Sequence, residues 1–172
     1  MNADFDRALA KVLIFEGGKA DDPADPGGRT NKGIIQRTYD DYRGSKGLVY
    51  RDVFLITEAE VREIYESRFW KRSQAPLFGW PVNLILFDCA VNSGTMRAAK
   101  LLQRALGVTP DGILGPATLA SVKNFTMRDL CLRFLMERVF YYNHLDEGHP
   151  ELTKFLTGGW LLRIESLYRE VP

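Results

Sequence analysis

Cysteine is scarce: Cys89 and Cys131 are the only two in 172 residues, and both sit in apolar, helix-like surroundings. That fits two reduced, buried thiols that pack as small hydrophobes, with a single disulfide as the alternative the sequence does not indicate. Histidine is as rare. His144 and His149 stand five apart, with no cysteine or carboxylate pair at metal-ligand spacing, so no metal site is expected. Neither lies in a motif that would activate a serine or cysteine nucleophile. Charge excess is missing too: 23 basic against 22 acidic residues leave a net +1, without the basic footprint of a nucleic-acid binder. No apolar run is long enough to span a bilayer, and the first residues, Met1 to Asp6, have neither the basic nor the apolar region of a secretory leader. The glycine pairs lack the lysine and hydroxyl residue of a phosphate loop. Nothing calls for a cofactor. Alternating apolar and polar residues are also absent, so any sheet should be a small hairpin at most, between Gly28 and Ile35 or near Leu48 to Val53.

What is present is helical periodicity, and the fold class it predicts is all-α. Phe5, Ala8, Leu9, Val12 and Leu13 recur at three- and four-residue spacing over 4–15, and Gly17-Gly18 ends that helix. A short helical segment is expected from Gly33 through Tyr39, fading at 43–47. Thr57 and Glu60 have the spacing of a capping box and open a helix over 58–71. Residues 82–92 are apolar almost all round, which marks a central helix, with Asp88 and Asn92 four apart on one face. Thr95 is expected to cap a helix running to Gly107, a turn-rich link leads to a short helix over 116–124, and a longer helix opens at 126–129. Two short helices, 150–155 and 160–168, close the chain.

The chemistry concentrates near the start. Glu16 follows an apolar helix and precedes two glycines, so it is left at the helix end, facing the loop 19–31 with its carboxylates Asp21, Asp22 and Asp25, the hydroxyl of Thr30 and the amide of Asn31. Glycoside hydrolysis needs a proton donor to the leaving oxygen and a second group that activates water or stabilises the developing cation. Glu16 suits the first task, because a helix C-terminus and apolar neighbours favour a carboxyl group that keeps its proton. Asp25, in an exposed polar loop, suits the second, with Thr30 positioning a water. The competing reading makes Glu16 a helix-end surface residue and the Asp-Pro-Gly run an ordinary turn.

Four stretches weigh against that plainer reading: Phe15-Glu16-Gly17-Gly18, the run from Asp22 to Ile34, Phe87 to Gly94, and Asp111 to Thr118. Together, and in this order, they resemble glycoside hydrolase family 108, the N-acetylmuramidase group once labelled secretion-activator proteins. The resemblance implies a lysozyme-like helical fold and cleavage of the β-1,4 bond between N-acetylmuramic acid and N-acetylglucosamine, with Glu16 as catalytic acid. It also implies a peptidoglycan-binding region from about Thr95 onward. The Glu16, Asp25, Thr30 spacing is similar to the trio of phage-type lysozymes, with the last gap one residue shorter, so Asp22 and Asn31 stand as alternatives or sugar contacts.

Further expectations follow for the substrate and its surroundings. Asp88 and Asn92 either line the cleft floor and bind an N-acetyl or hydroxyl group, or brace the Glu16 loop. Tyr65 and Trp70 are core aromatics or sugar-stacking residues at the cleft edge. The domain reading is a muramidase lobe over 1–94 and a helical peptidoglycan-binding lobe over 95–172, folded as one unit around a cleft. The expected partner is bacterial peptidoglycan, and a monomer is the default. The expected protein is made in the cytoplasm without a signal peptide and reaches the wall through a holin, as a phage or prophage endolysin, or through a dedicated secretion system. Its rivals are a non-catalytic peptidoglycan-binding or secretion-related module and a helical interaction domain.

Overall fold

The computed structural model describes residues 3–21, 28–148 and 159–172. Helices dominate. The only sheet among the described residues has three antiparallel strands of two residues each, in the order β1 (Lys19–Ala20), β2 (Thr30–Asn31), β3 (Ile34–Ile35). Asn31 faces both Lys19 and Ile34, so β2 is the central strand. The hairpin therefore falls where one was expected, at 28–35, and gains a third strand from just after Glu16. At 48–53 no strand forms; that stretch leads into a single 3₁₀ turn, Val53–Leu55.

The chain divides into two compact units. One, Leu9–Arg68, contains the end of α1 (Ala3–Leu13), the sheet, α2 (Gln36–Ser45) and all of α3 (Glu58–Tyr65). Helix α3 begins at the expected capping box: Thr57 accepts from the Glu60 backbone N–H, while the Glu60 carboxylate accepts from the Thr57 N–H at 2.9 Å. The same carboxylate accepts from the Tyr39 hydroxyl at 2.8 Å and pairs with Arg43 at 2.7 Å, tying α2 to α3. Gln36 fixes the connecting segment, donating to the Arg51 carbonyl and accepting from the Val53 N–H. Ile34 and Ile35 are strand rather than helix, because the turn before them folds the chain back to pair with β2, and α2 starts only at Gln36.

The second unit joins the first turns of α1 to Phe69–Pro172. Helix α4 (Val82–Ser93) is its centre, buried from Val82 to Ala90 as an all-round apolar helix must be. Helices α5 (Thr95–Ala105) and α7 (Met127–Gly148) flank it, and α8 (Leu161–Tyr168) packs on α7. Thr95 is the first residue of α5 and makes no cap; Gly94, at φ +85°, turns the chain into the helix. The short α6 (Pro116–Ser121) runs into a 3₁₀ turn to Asn124. The link before it is stapled by buried Gln103, which donates to Asp111 and to the Ile113 carbonyl and accepts from the Gly112 N–H at 2.7 Å. The helix expected at 150–155 lies outside the described residues. Cys89 and Cys131 are buried and unpaired, and burial pushes each thiol up to about 11.

Candidate active site

Glu16 is reached by a tightening of the chain after α1. The helix ends at Leu13, two residues sooner than its periodicity suggests, and the N–H groups of Ile14 and Phe15 bond back to Lys11 and Val12. Glu16 stands half-buried beyond that turn, and Gly17, at φ +67°, redirects the backbone into β1.

The partner surface is the tip of the hairpin. Lys32 and Gly33, at φ +50° and +71°, form the two-residue turn between β2 and β3. Two consecutive left-handed residues are what such a connection requires. Gly33 has a second reason to lack a side chain. A Cβ there would lie 2.6 Å from Glu16 Oε2 and 2.8 Å from the Tyr65 hydroxyl oxygen, both too close for a real contact. The carboxyl group and the phenol thus crowd the same point above a bare α-carbon. Tyr65, 1 % exposed and rooted in α3, donates its hydroxyl proton to the Lys32 carbonyl at 2.8 Å, which locks the turn. Lys32 makes an ion pair with Glu58 at the start of the same helix.

The other loop residues divide sharply. Thr30 is half-buried on β2, its hydroxyl donating to the Gly28 carbonyl at 3.3 Å. Asn31, next along the strand and so facing the other way, is buried and donates to the Val53 carbonyl at 3.2 Å. Its amide braces the sheet. Asp22 and Asp25 lie outside the described residues. Arg29, which the sequence reading passed over, pairs with Asp21 at 2.9 Å and with Asp52, and its guanidinium lies 4.8 Å over the Phe54 ring. It fixes the flanks of the acidic loop.

Trp70, Asp88 and Asn92 belong to the second unit, and there the expectations need correcting. Trp70 is 1 % exposed, its ring packed against Phe5 and Phe87 at centroid distances of 5.5 and 5.4 Å. It has no face left for a sugar. Tyr65 offers its hydroxyl, but its ring is equally enclosed, so the stacking role fails for both. Asp88, 1 % exposed, spends one oxygen on Arg138 at 2.8 Å and the other on Arg163 at 2.7 Å. Arg138 also donates to the Tyr142 hydroxyl, which donates to Asn92 Oδ1, each at 2.8 Å. This polar chain links α4, α7 and α8. Asp88, enclosed in this chain, is closed to a sugar. The signal for it was a lone acid on an apolar helix, which demands a buried cation.

Among the described residues, then, the chemistry comes down to one half-buried carboxyl group held against a rigid hairpin, beside a phenol and a threonine strand. No group of three or more metal-binding side chains occurs among them, nor any helix long and apolar enough to cross a membrane.

The family model described as glycosyl hydrolase 108 matches residues 9–94, which contain this whole arrangement. The chain belongs to the glycosyl hydrolase 108 family. A second model, described as a predicted peptidoglycan domain, matches 97–165, the region of α5 to α8. Among solved structures, the chain is similar to Brucella abortus SagA, with 29% identity and a TM-score of 0.79 over 97% of this chain and 92% of that one. Comparison with curated protein sequences finds no match. A glycosyl hydrolase 108 chain followed by a peptidoglycan domain is a glycoside hydrolase with a peptidoglycan-directed role, and Glu16 lies within the hydrolase match.

Proposed function

We propose that this glycosyl hydrolase 108 chain is an N-acetylmuramidase, hydrolysing the β-1,4 bond from N-acetylmuramic acid to N-acetylglucosamine in peptidoglycan. The observation that carries the reading is the seat of Glu16: a carboxyl group that shares with the Tyr65 phenol the space over a side-chain-free turn, inside the hydrolase match. In the proposed reaction Glu16 gives its proton to the glycosidic oxygen as the bond to the anomeric carbon breaks. A second carboxylate steadies the developing cation or activates the water that replaces the leaving group. Asp25 is assigned that role, with Thr30 positioning the water; Asp22 is its alternate in the same loop. Asn31 is a poor candidate, its amide being committed to Val53. The protein acts at the cell wall as a monomer, reaching it by release through a holin, as an endolysin, or by a dedicated export system.

Product chemistry tests the bond. Purified peptidoglycan is digested, its new reducing ends are reduced with borohydride, and the fragments are read by mass spectrometry. Reduced muramic acid is the expected terminus. Reduced glucosamine ends would reassign the enzyme to the other glycosidic bond, and binding without any soluble product would make the chain a non-catalytic wall-binding module.

A further inference from the structure

We propose that a basic, aromatic-walled hollow between α5 and α7 binds carboxylates of the peptidoglycan stem peptides. This rests on the peptidoglycan reading above and assigns residues to it in the second unit. The hollow, about 560 Å³, is lined by Arg97 and Arg104 from α5 and by Phe140, Tyr141, His144 and Leu145 from α7.

The two arginines stand seven residues apart, two turns along one side of α5. Both are exposed, and neither has an ion pair among the described residues. Arg72 and Arg133 of this unit likewise have none among the described residues, whereas four others are paired. Arg7 pairs with Glu170, Arg169 with Glu165, and Arg138 and Arg163 with Asp88. The Arg97 guanidinium lies 4.8 Å over the Tyr141 ring, so the aromatic face holds the fork in place while its N–H edges stay available. Phe140, 57% exposed, supplies an apolar wall beside it.

Such a hollow suits an anion carried on a hydrocarbon frame, with planar guanidinium forks matching planar carboxylates. A chain of N-acetylated sugars presents neutral hydroxyls and amides, which give two arginines little to pair with. The peptides attached to that chain carry free carboxylates between apolar side chains, and they are the part of the wall whose chemistry matches. The hollow lies within the region matched as a predicted peptidoglycan domain.

The test uses full-length protein carrying Glu16→Gln, so that the wall is bound and not consumed. Its binding is measured in a sedimentation assay on three preparations: whole walls, walls freed of phosphate polymers with hydrofluoric acid, and acid-treated walls whose peptides have been removed with an amidase and whose muramic acid carboxylates, freed by that cleavage, have been blocked by carbodiimide coupling to methylamine. Binding should survive phosphate removal and fall when the peptides go. Adding Arg97→Gln and Arg104→Gln should weaken binding to acid-treated walls about tenfold, the scale of two exposed ion pairs. Arg97→Lys with Arg104→Lys, which keeps the charge but loses the planar fork and its stacking on Tyr141, should recover only part of it. Circular dichroism and melting confirm that each variant is folded, and a misfolded double Gln variant is replaced by the two single ones. Equal binding to walls with and without peptides would overturn the proposal while leaving the peptidoglycan reading intact, as would undiminished binding by the double Gln variant. Loss of binding on acid treatment alone would reassign the hollow to phosphate. Failure to bind any of the three would overturn the peptidoglycan reading itself.

Discussion

A single missing carbon sets the geometry around Glu16. Gly33 needs a left-handed backbone and an empty α-carbon at once, and Gly33→Ala violates both. Holding alanine in that conformation costs about 1–2 kcal/mol, and its Cβ must push the carboxyl group and the Tyr65 hydroxyl aside. A displacement of about 1 Å in a reacting group can cost on the order of a hundredfold in rate. The variant should therefore melt only a few degrees lower yet lose activity by roughly that factor, measured as muropeptide release beside a thermal melt. Unchanged turnover would mean that the hairpin does not position the acid. At this scale the sequence was uneven as a guide. The place of Glu16 just past the first helix was legible, because an apolar helical run stops there at two glycines. The closeness of Gly33 and Tyr65 was not, since it depends on three segments meeting; Tyr65 could be read as a core aromatic, but its hydroxyl partner, 33 residues away, could not be foreseen.

Helices were the most legible elements, for reasons visible in their residues. Thr57 and Glu60 announce α3 through a local exchange of hydrogen bonds, and the unbroken apolar run of α4 admits no exposed face. Strands of two residues carry no periodicity to read, so Ile34 and Ile35 passed for the start of a helix. The Asp88 cluster was half legible: its acid stood out, while Arg138 was hidden in the periodic stripe of α7. Asp88→Asn separates a structural role from a sugar-binding one. Removing the charge strands two buried guanidinium groups, for which breaking a buried pair costs about 3–5 kcal/mol. A fall in melting temperature on the order of 10 °C is expected for a domain of this size. A variant that melts like the parent but binds peptidoglycan more weakly would return Asp88 to the substrate.

For the molecule as a whole, acid should destabilise the unit that carries Glu16. Burial works against the Glu60 carboxylate, but the Thr57 N–H, the Tyr39 and Thr57 hydroxyls and Arg43 outweigh it and hold Glu60 below its ordinary value. Lys46, then Tyr42, does the same for Glu63. A carboxylate lowered by folding stabilises the protein fully above its unfolded value, about 4.3, and loses that contribution as pH falls through the lower folded value. Melting temperature should thus drop below about pH 4.3, and Glu60→Gln should be less stable at neutral pH with a flatter acid limb. An acid limb identical to the parent's would remove Glu60 from the account.

The central claim is that Glu16 supplies the proton in glycoside hydrolysis. It is tested most directly by following release of soluble muropeptides from purified peptidoglycan by the wild-type protein and by Glu16→Gln, which keeps the size of the side chain and removes its transferable proton. With both proteins folded and binding the wall alike, the variant should be slower by at least about a hundredfold. A Glu16→Gln protein that solubilises peptidoglycan at the wild-type rate would contradict the claim and move the catalytic acid elsewhere.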